Sequence, residues 1–196
     1  MQQYELAKQA LINHEVIAFP TETVFGLGVY FDDEQAYAKL NVIKKRKDNK
    51  PYTLMLSNVE QIQKYADIPF KFLPIIRKYM PGSLTILVKC KTNVPAFVTN
   101  GSGVIGIRIP SNKEALDLLK FLGKPLLVPS ANRADEKPAM SDSEVEDIFG
   151  KEIAVIIPGQ AKSGQPSTII DLTGNQLKVV RPGPISLQDL IACLEQ

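Results

Sequence analysis

The chain contains one histidine and two cysteines, and both scarcities narrow its chemistry. His14 reads as a surface residue in the turn after a first helical pattern, so acid–base catalysis by an imidazole is not expected. Cys90 and Cys193 lie far apart without paired spacing, which argues against a disulfide framework and against a zinc site; both read as small buried hydrophobes. No nucleophile with an adjacent base, no pair of catalytic carboxylates and no cluster of metal ligands stands out. The Gly-x-x-x-x-Gly-Lys phosphate loop is missing, so a triphosphate would have to be met by side-chain cations and a metal counter-ion. Long apolar runs are missing as well: Ile153 to Ile157 falls far short of the roughly 20 residues that a membrane helix needs, and the N-terminus carries Glu5 and Lys8 rather than a basic-then-apolar signal. These absences point to a cytoplasmic protein with no membrane association.

Gly/Ser linkers, low-complexity segments and internal repeats are also absent, so residues 1–196 read as a single domain of ordinary globular composition, 44% hydrophobic and 22% charged. Leu6, Ala7, Ala10 and Leu11 form one helical stripe, and Ala36, Leu40 and Ile43 form another in a helix entered through Asp32 or Asp33. Ser57-x-x-Glu60, Ser111-x-x-Glu114 and Ser141-x-x-Glu144 carry the reciprocal capping pattern, and Ser186-x-x-Asp189 is a weaker version of it. Strands are expected at 16–19, 27–31, 53–56, 84–89, 104–109, 126–129, 153–157, 167–172 and 177–181. Some adjoin without an intervening helix, so the sheet should be mixed, and the fold class is α/β, an open twisted sheet with helices packed on it.

Pro20 to Gly28 reads Pro-Thr-Glu-Thr-Val-Phe-Gly-Leu-Gly directly after the apolar run Val16 to Phe19. Two hydroxyls, a carboxylate and two close glycines at the end of a buried strand suit the binding of a small polar ligand, although a plain polar turn between strands would look similar. Gly101-Ser-Gly103-Val-Ile-Gly106 fits a dinucleotide-binding fingerprint, but Val104 to Ile109 reads as a strand ended by Pro110 where a helix would be required. Net charge is only +2, too small to argue for nucleic acid, yet Lys44 to Lys47 are consecutive cations with Lys50 close behind. They either complement the end of the second helix or project Lys44 and Arg46 toward phosphates, with Lys45 directed elsewhere. Arg108 lies in a strand flanked by isoleucines and needs an anion, either a structural Asp or Glu or the carboxylate of a ligand. Ser130 and Asn132 follow one apolar strand and Ser167 and Thr168 open another, where α/β ligand sites collect.

Taken in order, Pro20 to Gly28, Lys44-Lys45-Arg46, Pro81-Gly82-Ser83-Leu84-Thr85, Gly106 to Pro110, Ser130-Ala131-Asn132, Ser167 to Asp171 and Val180 to Gly183 resemble the motifs of the YrdC-like family, the threonylcarbamoyl-AMP synthases, along nearly the whole chain. The resemblance implies a YrdC-like sheet in its minimal form, without the additional C-terminal domain of longer relatives. It implies a nucleotidyltransferase joining L-threonine, bicarbonate and ATP, with Mg2+ as counter-ion, into threonylcarbamoyl-AMP and pyrophosphate, for N6-threonylcarbamoyladenosine at tRNA position 37. Lys44 and Arg46 would be catalytic and bind ATP together with Lys50, Ser130, Asn132 and Arg181, while Thr21, Thr23, Arg108 and Ser167 would bind threonine, Arg108 bidentately. The tRNA itself or the downstream threonylcarbamoyl transferase subunits are the implied partners. Three departures from the family pattern stand out: Met55, Val104, and the segment Arg133 to Met140, where Ala139 cannot supply a hydroxyl to ATP. Rival readings are an RNA-binding maturation factor without catalysis and a carbamoyl-adenylate-forming domain of the hydrogenase-maturation type.

Overall fold

A computed structural model describes residues 1–46 and 51–195. Its strands are β1 (Ile17–Phe19), β2 (Gly26–Tyr30), β3 (Thr53–Met55), β4 (Leu84–Lys89), β5 (Val104–Arg108), β6 (Leu126–Leu127), β7 (Val155–Ile156), β8 (Thr168–Asp171) and β9 (Lys178–Arg181). The helices are α1 (Gln2–Ile12), α2 (Glu34–Ile43), α3 (Ile62–Tyr65), α4 (Leu73–Tyr79), α5 (Ala96–Thr99), α6 (Lys113–Leu122), α7 (Asp142–Phe149) and α8 (Leu187–Ala192). All strands join one nine-stranded sheet in the order β7-β1-β2-β6-β3-β5-β4-β8-β9. It is mixed, as expected: β1–β7, β3–β5 and β4–β8 run parallel and the other neighbours antiparallel. The largest difference in bounds is at β7, expected from 153. Gly150–Glu152 winds into a 3-10 turn first, and Ile153 only ends it.

Strand alternation sorts side chains onto two unequal faces. One set, including Ala18, Leu27, Leu54, Ile86, Ile105, Ile107, Leu127 and Ile170, packs in the main core with α2, α4, α7 and α8. On the other face Ile17, Phe19, Tyr30, Leu126 and Val128 pack under α1 and α6, through Ala7, Leu11, Ala115, Leu118 and Leu119. That second cover stops at Met55. Beyond it, on the same face, Thr53, Thr85, Leu87, Val104, Gly106, Arg108, Ser167, Ile169 and Arg181 line an open cleft.

Several local expectations shift by one residue. Asp33 caps α2 and Ser141 and Ser186 cap α7 and α8, as the patterns predict. At the other two starts Asn58 and Asn112 provide the cap, rather than Ser57 and Ser111, because their amide oxygens reach Gln61 N and Ala115 N at 3.0 Å each. Leu6 is 54% exposed and so lies outside the buried α1 stripe, which consists of Ala7, Ala10 and Leu11. Cys193 is buried, whereas Cys90 is only half-buried. His14 is a half-exposed turn residue paired with Asp33 at 2.8 Å.

Candidate functional site

The cleft has a volume of about 740 Å³. Thr21, Thr23, Lys44, Arg46, Arg108, Ser130, Asn132, Ser167 and Arg181 all line it, although they come from widely separated parts of the chain. Lys50 lies outside the described residues.

After β1 the chain turns sharply at Thr21. Its hydroxyl donates to Val24 O at 2.7 Å and accepts from the backbone N–H of Thr23 and Val24 at 3.2 and 3.3 Å. With its own proton committed, Thr21 Oγ1 accepts from Thr23 Oγ1 at 2.9 Å, and Thr23 Oγ1 accepts from Arg108 Nη2 at 2.8 Å. One directed chain thus runs from guanidinium through two hydroxyls to a carbonyl, each bond polarising the next. The turn delivers the strand to Gly26, which sits against the segment after β6. A Cβ there would lie 2.5 Å from Val128 Cγ1, and without one Gly26 bridges to Ser130.

Lys44 ends α2 and is 6% exposed. Its ammonium donates to Ser130 O at 2.7 Å, Asn132 O at 2.8 Å and, more distantly, Asn132 Oδ1 at 3.4 Å. Burial first, and then the Arg46 charge, lower its pKa to about 8. The expected phosphate lysine is therefore also a brace for the Ser130–Asn132 turn. Ser130 Oγ donates to Asn132 Oδ1 at 2.6 Å, while Asn132 Nδ2 donates to Arg133 O and Glu136 O at 2.6 and 3.0 Å, closing the turn on itself. Arg46 lies with its guanidinium 4.3 Å from the centre of the Tyr52 ring. Lys45, between them, is exposed and does not line the cleft.

Across the floor, β-sheet register aligns the remaining groups. Met55 pairs with Arg108, Thr85 with Ile169, and Ile169 with Arg181; one step beyond the Ile86–Ile107 pair, Arg108 stands opposite Thr85. The two arginines are thus three strands apart, about 14 Å between backbones, on one row. Arg181 folds inward. Its Nε and Nη2 donate to Ser167 O at 3.1 and 2.8 Å, and Nη2 also reaches Ser167 Oγ at 3.1 Å. Ser167 Oγ meets Thr85 Oγ1 at 2.8 Å, and Gly183 presses on the same segment, since a Cβ there would lie 2.4 Å from Thr168 N. Burial, followed by the charge of Arg108, lowers the Arg181 pKa.

Of the two anions open to Arg108, the structure contains the structural one. Glu22 Oε1 accepts from Arg108 Nη2 at 2.7 Å. Nη2 is thereby used up by Glu22 and Thr23, so it cannot serve in a bidentate fork toward a ligand. Nη1 makes no hydrogen bond to a described residue, and Nε is buried without a partner. Glu22 and Thr85 fall within the sequence motifs, but neither their contacts to Arg108 and Ser167 nor the stacking of Tyr52 on Arg46 is signalled there. Ala139, one of the departures, is buried away from the cleft, and its backbone bridges Ala131 O and Phe25 N at 2.8 and 2.9 Å. Met55 and Val104 do line the cleft. The Gly101 to Gly106 motif leads into β5 and starts no helix.

A model of the Sua5–YciO–YrdC family, described as telomere recombination, matches residues 9–183. The chain belongs to this family. Among its curated members, a threonylcarbamoyl-AMP synthase of Pyrococcus abyssi is 32% identical over 178 residues, covering 90% of this chain and 52% of that protein. One from Wigglesworthia glossinidia brevipalpis is 31% identical over 177 residues, covering 89% and 90%. The chain therefore spans about half the length of the P. abyssi relative and most of the other. Among solved structures of the family, P. abyssi Sua5 complexed with L-threonine superposes with a TM-score of 0.92 at 30% identity, over 97% of this chain and 56% of that one. E. coli YciO superposes with a TM-score of 0.87 at 27% identity, over 96% and 93%. No helix among the described residues is long and apolar enough to cross a membrane.

Proposed function

We propose that this protein is an L-threonylcarbamoyladenylate synthase, forming threonylcarbamoyl-AMP and pyrophosphate from L-threonine, bicarbonate and Mg2+-bound ATP for tRNA N6-threonylcarbamoyladenosine synthesis. The observation that carries this reading is the convergence of Arg108 and Arg181 on the Thr23 and Ser167 hydroxyls across one cleft floor, with donors of Arg108 still unpaired. Two facing cations beside small hydroxyls suit a ligand that is anionic at both ends. The L-threonine bound to the P. abyssi relative supports the amino-acid half of the proposal.

Bicarbonate takes up one proton and loses water to give CO2; the threonine amine adds to that CO2, forming an N–C bond and releasing one proton, so the net products are a carbamate and water. A carbamate oxygen then attacks the α-phosphorus, a new O–P bond forms, and the bond from that phosphorus to the bridging oxygen breaks to release pyrophosphate. The nucleophile already carries its charge, so no histidine or paired carboxylate is required; alignment and charge stabilisation do the catalysis. In this reading Thr23, Arg108 and Ser167 hold threonine with Thr21 behind them. Ser130 and Asn132 bridge the two substrates, and Lys44, Arg46 and Arg181 act on the phosphates, a role the family resemblance also gives to Lys50. Among the described residues no three His, Cys, Asp or Glu side chains group to hold a metal, so the Mg2+ is taken to enter on the triphosphate. Downstream transferase subunits or tRNA would consume the product.

The test is pyrophosphate release from purified protein with ATP, Mg2+, bicarbonate and L-threonine, together with detection of the acyl-adenylate. Both should vanish when threonine or bicarbonate is omitted. Equal release without threonine would replace this reading with another adenylation or a plain ATPase.

A further inference from the structure

Glu22 belongs to the Pro20–Gly28 segment yet does not line the cleft, and its side chain is only 12% exposed. Both of its oxygens are occupied. Oε1 accepts from Arg108 Nη2 at 2.7 Å, and Oε2 accepts from the backbone N–H groups of Ser111 and Asn112 at 3.1 and 3.3 Å. Those residues lead directly into α6, where the positive end of the helix dipole favours a carboxylate. Three of the four lone-pair sites of the carboxylate are taken, and it is tied in place from both sides. It ties Arg108 in turn. Nη2 is clamped between Glu22 and Thr23, and in a planar guanidinium two directed bonds at one nitrogen fix the plane of the whole group.

We propose that Glu22 is a positioning residue for the amino-acid substrate: without touching it, Glu22 fixes the Arg108 guanidinium so that the unpaired N–H groups of Nη1 are presented to the substrate carboxylate. The inference rests on the proposed function in assigning that carboxylate to Arg108. Glu22 has a second effect. Arg108 and Arg181 share one row of the cleft floor, and Glu22 offsets their mutual repulsion before the anionic ligand arrives. The opposite role, in which Glu22 competes with the substrate for Arg108, would require the carboxylate to swing aside. The two backbone N–H bonds to Oε2 oppose that movement.

Glu22→Gln separates the two roles. The glutamine amide has the right shape but a single acceptor oxygen. It must set its NH2 either against the N–H groups of Ser111 and Asn112 or against Arg108 Nη2, so one of the two anchors breaks. The expected result is a threonine KM raised about tenfold or more, with ATP KM and kcat within about twofold. Combined with Arg108→Lys, the change should add little to that variant alone, because the two act as one unit. A second measurement needs no substrate: 15N relaxation of the Arg108 Nε–H should report a rigid group in the native protein and fast motion in Glu22→Gln. A lower threonine KM, a fully additive double variant or an unchanged, rigid Nε–H would each overturn the proposal. Should the native protein prove indifferent to threonine, the functional reading fails, while the Nε–H result still decides the positioning role either way. If Glu22→Gln does not fold, Glu22→Asp goes through the same measurements, since it keeps the charge but is too short to span Arg108 and α6.

Discussion

Replacing Lys44 with alanine removes one ammonium that has two tasks. Its hydrogen bonds to Ser130 O and Asn132 O, at 2.7 and 2.8 Å, are charge-assisted and contribute about 1.5–3 kcal/mol each. Water from the cleft can replace part of them, and the cost of burying the ammonium is relieved, so the net loss should be about 1–3 kcal/mol. In a chain of this length that lowers Tm by about 2–12 °C. Loss of the charge from the phosphate side should cut pyrophosphate formation about 10- to 150-fold. Lys45→Ala is the control: the side chain is exposed and off the cleft, and at φ 51° lysine and alanine are equally strained, so melting and rate should hold. The pH dependence supplies a second axis. With a pKa of about 8, Lys44 loses its charge on the alkaline side of neutrality, so kcat/KM should fall above about pH 8, and Lys44→Ala should lack that limb. Stability moves the other way. The folded pKa lies below the ordinary lysine value of 10.5, so between about pH 8 and 10.5 the folded chain binds fewer protons than the unfolded one. The contribution of Lys44 to stability therefore rises with pH through that window and is constant below it. The Tm difference between native protein and Lys44→Ala, followed from about pH 7.5 to 10, should widen. Activity lost with an unchanged melt would remove the bracing role, a lowered melt with full activity would remove the electrostatic one, and a flat pH–rate profile would contradict the buried ammonium.

Three further substitutions separate fold from site. Arg108→Lys keeps a cation for Glu22 but loses the guanidinium donors, so threonine KM should rise about tenfold with ATP KM and melting little changed; unfolding, or an unchanged KM, would make Arg108 a purely structural ion-pair partner. Gly106→Ala adds a methyl to the cleft floor that meets only ordinary or slightly tight neighbours, Leu87 Cδ2 at 3.3 Å and Thr85 Cγ2 at 3.5 Å. Calorimetric titration should show weaker ATP or threonine binding at a nearly native Tm, and undiminished affinity would mean that this floor is unused. Gly183→Ala would set a Cβ 2.4 Å from Thr168 N and 2.7 Å from Pro166 O, forcing backbone movement at about 1–3 kcal/mol. Melting and pyrophosphate formation should both fall, because Ser167 moves with that backbone, and a native melt would refute the close packing.

Strand positions were legible because alternating or fully apolar runs such as Leu84 to Lys89 and Val104 to Arg108 are bounded by proline, glycine and polar residues. The capping pattern could not choose between neighbours that can both cap. Ser57 and Asn58, like Ser111 and Asn112, offer an oxygen at nearly the same place, and only backbone direction selects the asparagine. For the site, motif resemblance gathered residues that the fold brings into one cleft. What it missed are the non-local supports. The apolar flanks of Arg108 signalled a need for an anion, but nothing in one sequence says that Glu22, far upstream, meets that need first. Thr85 closes the Pro81 to Thr85 motif and would have been found by extending the alternation of β4 toward Ser167. The bracing work of Lys44 was hidden because a carbonyl acceptor carries no sequence signal.

The sheet order gives the cleft an uneven resistance to opening. Ser167, directly before β8, and Arg181, the last residue of β9, belong to a hairpin segment at the sheet margin whose in-sheet partner is β4, while Thr23 and Arg108 sit on interior strands or beside them. A local fluctuation that peels the hairpin from β4 would carry off one wall of the cleft intact and leave the other standing. A ligand spanning both walls acts as a tether across that seam, so amide exchange in β8 and β9 should slow on binding far more than in β3 or β5.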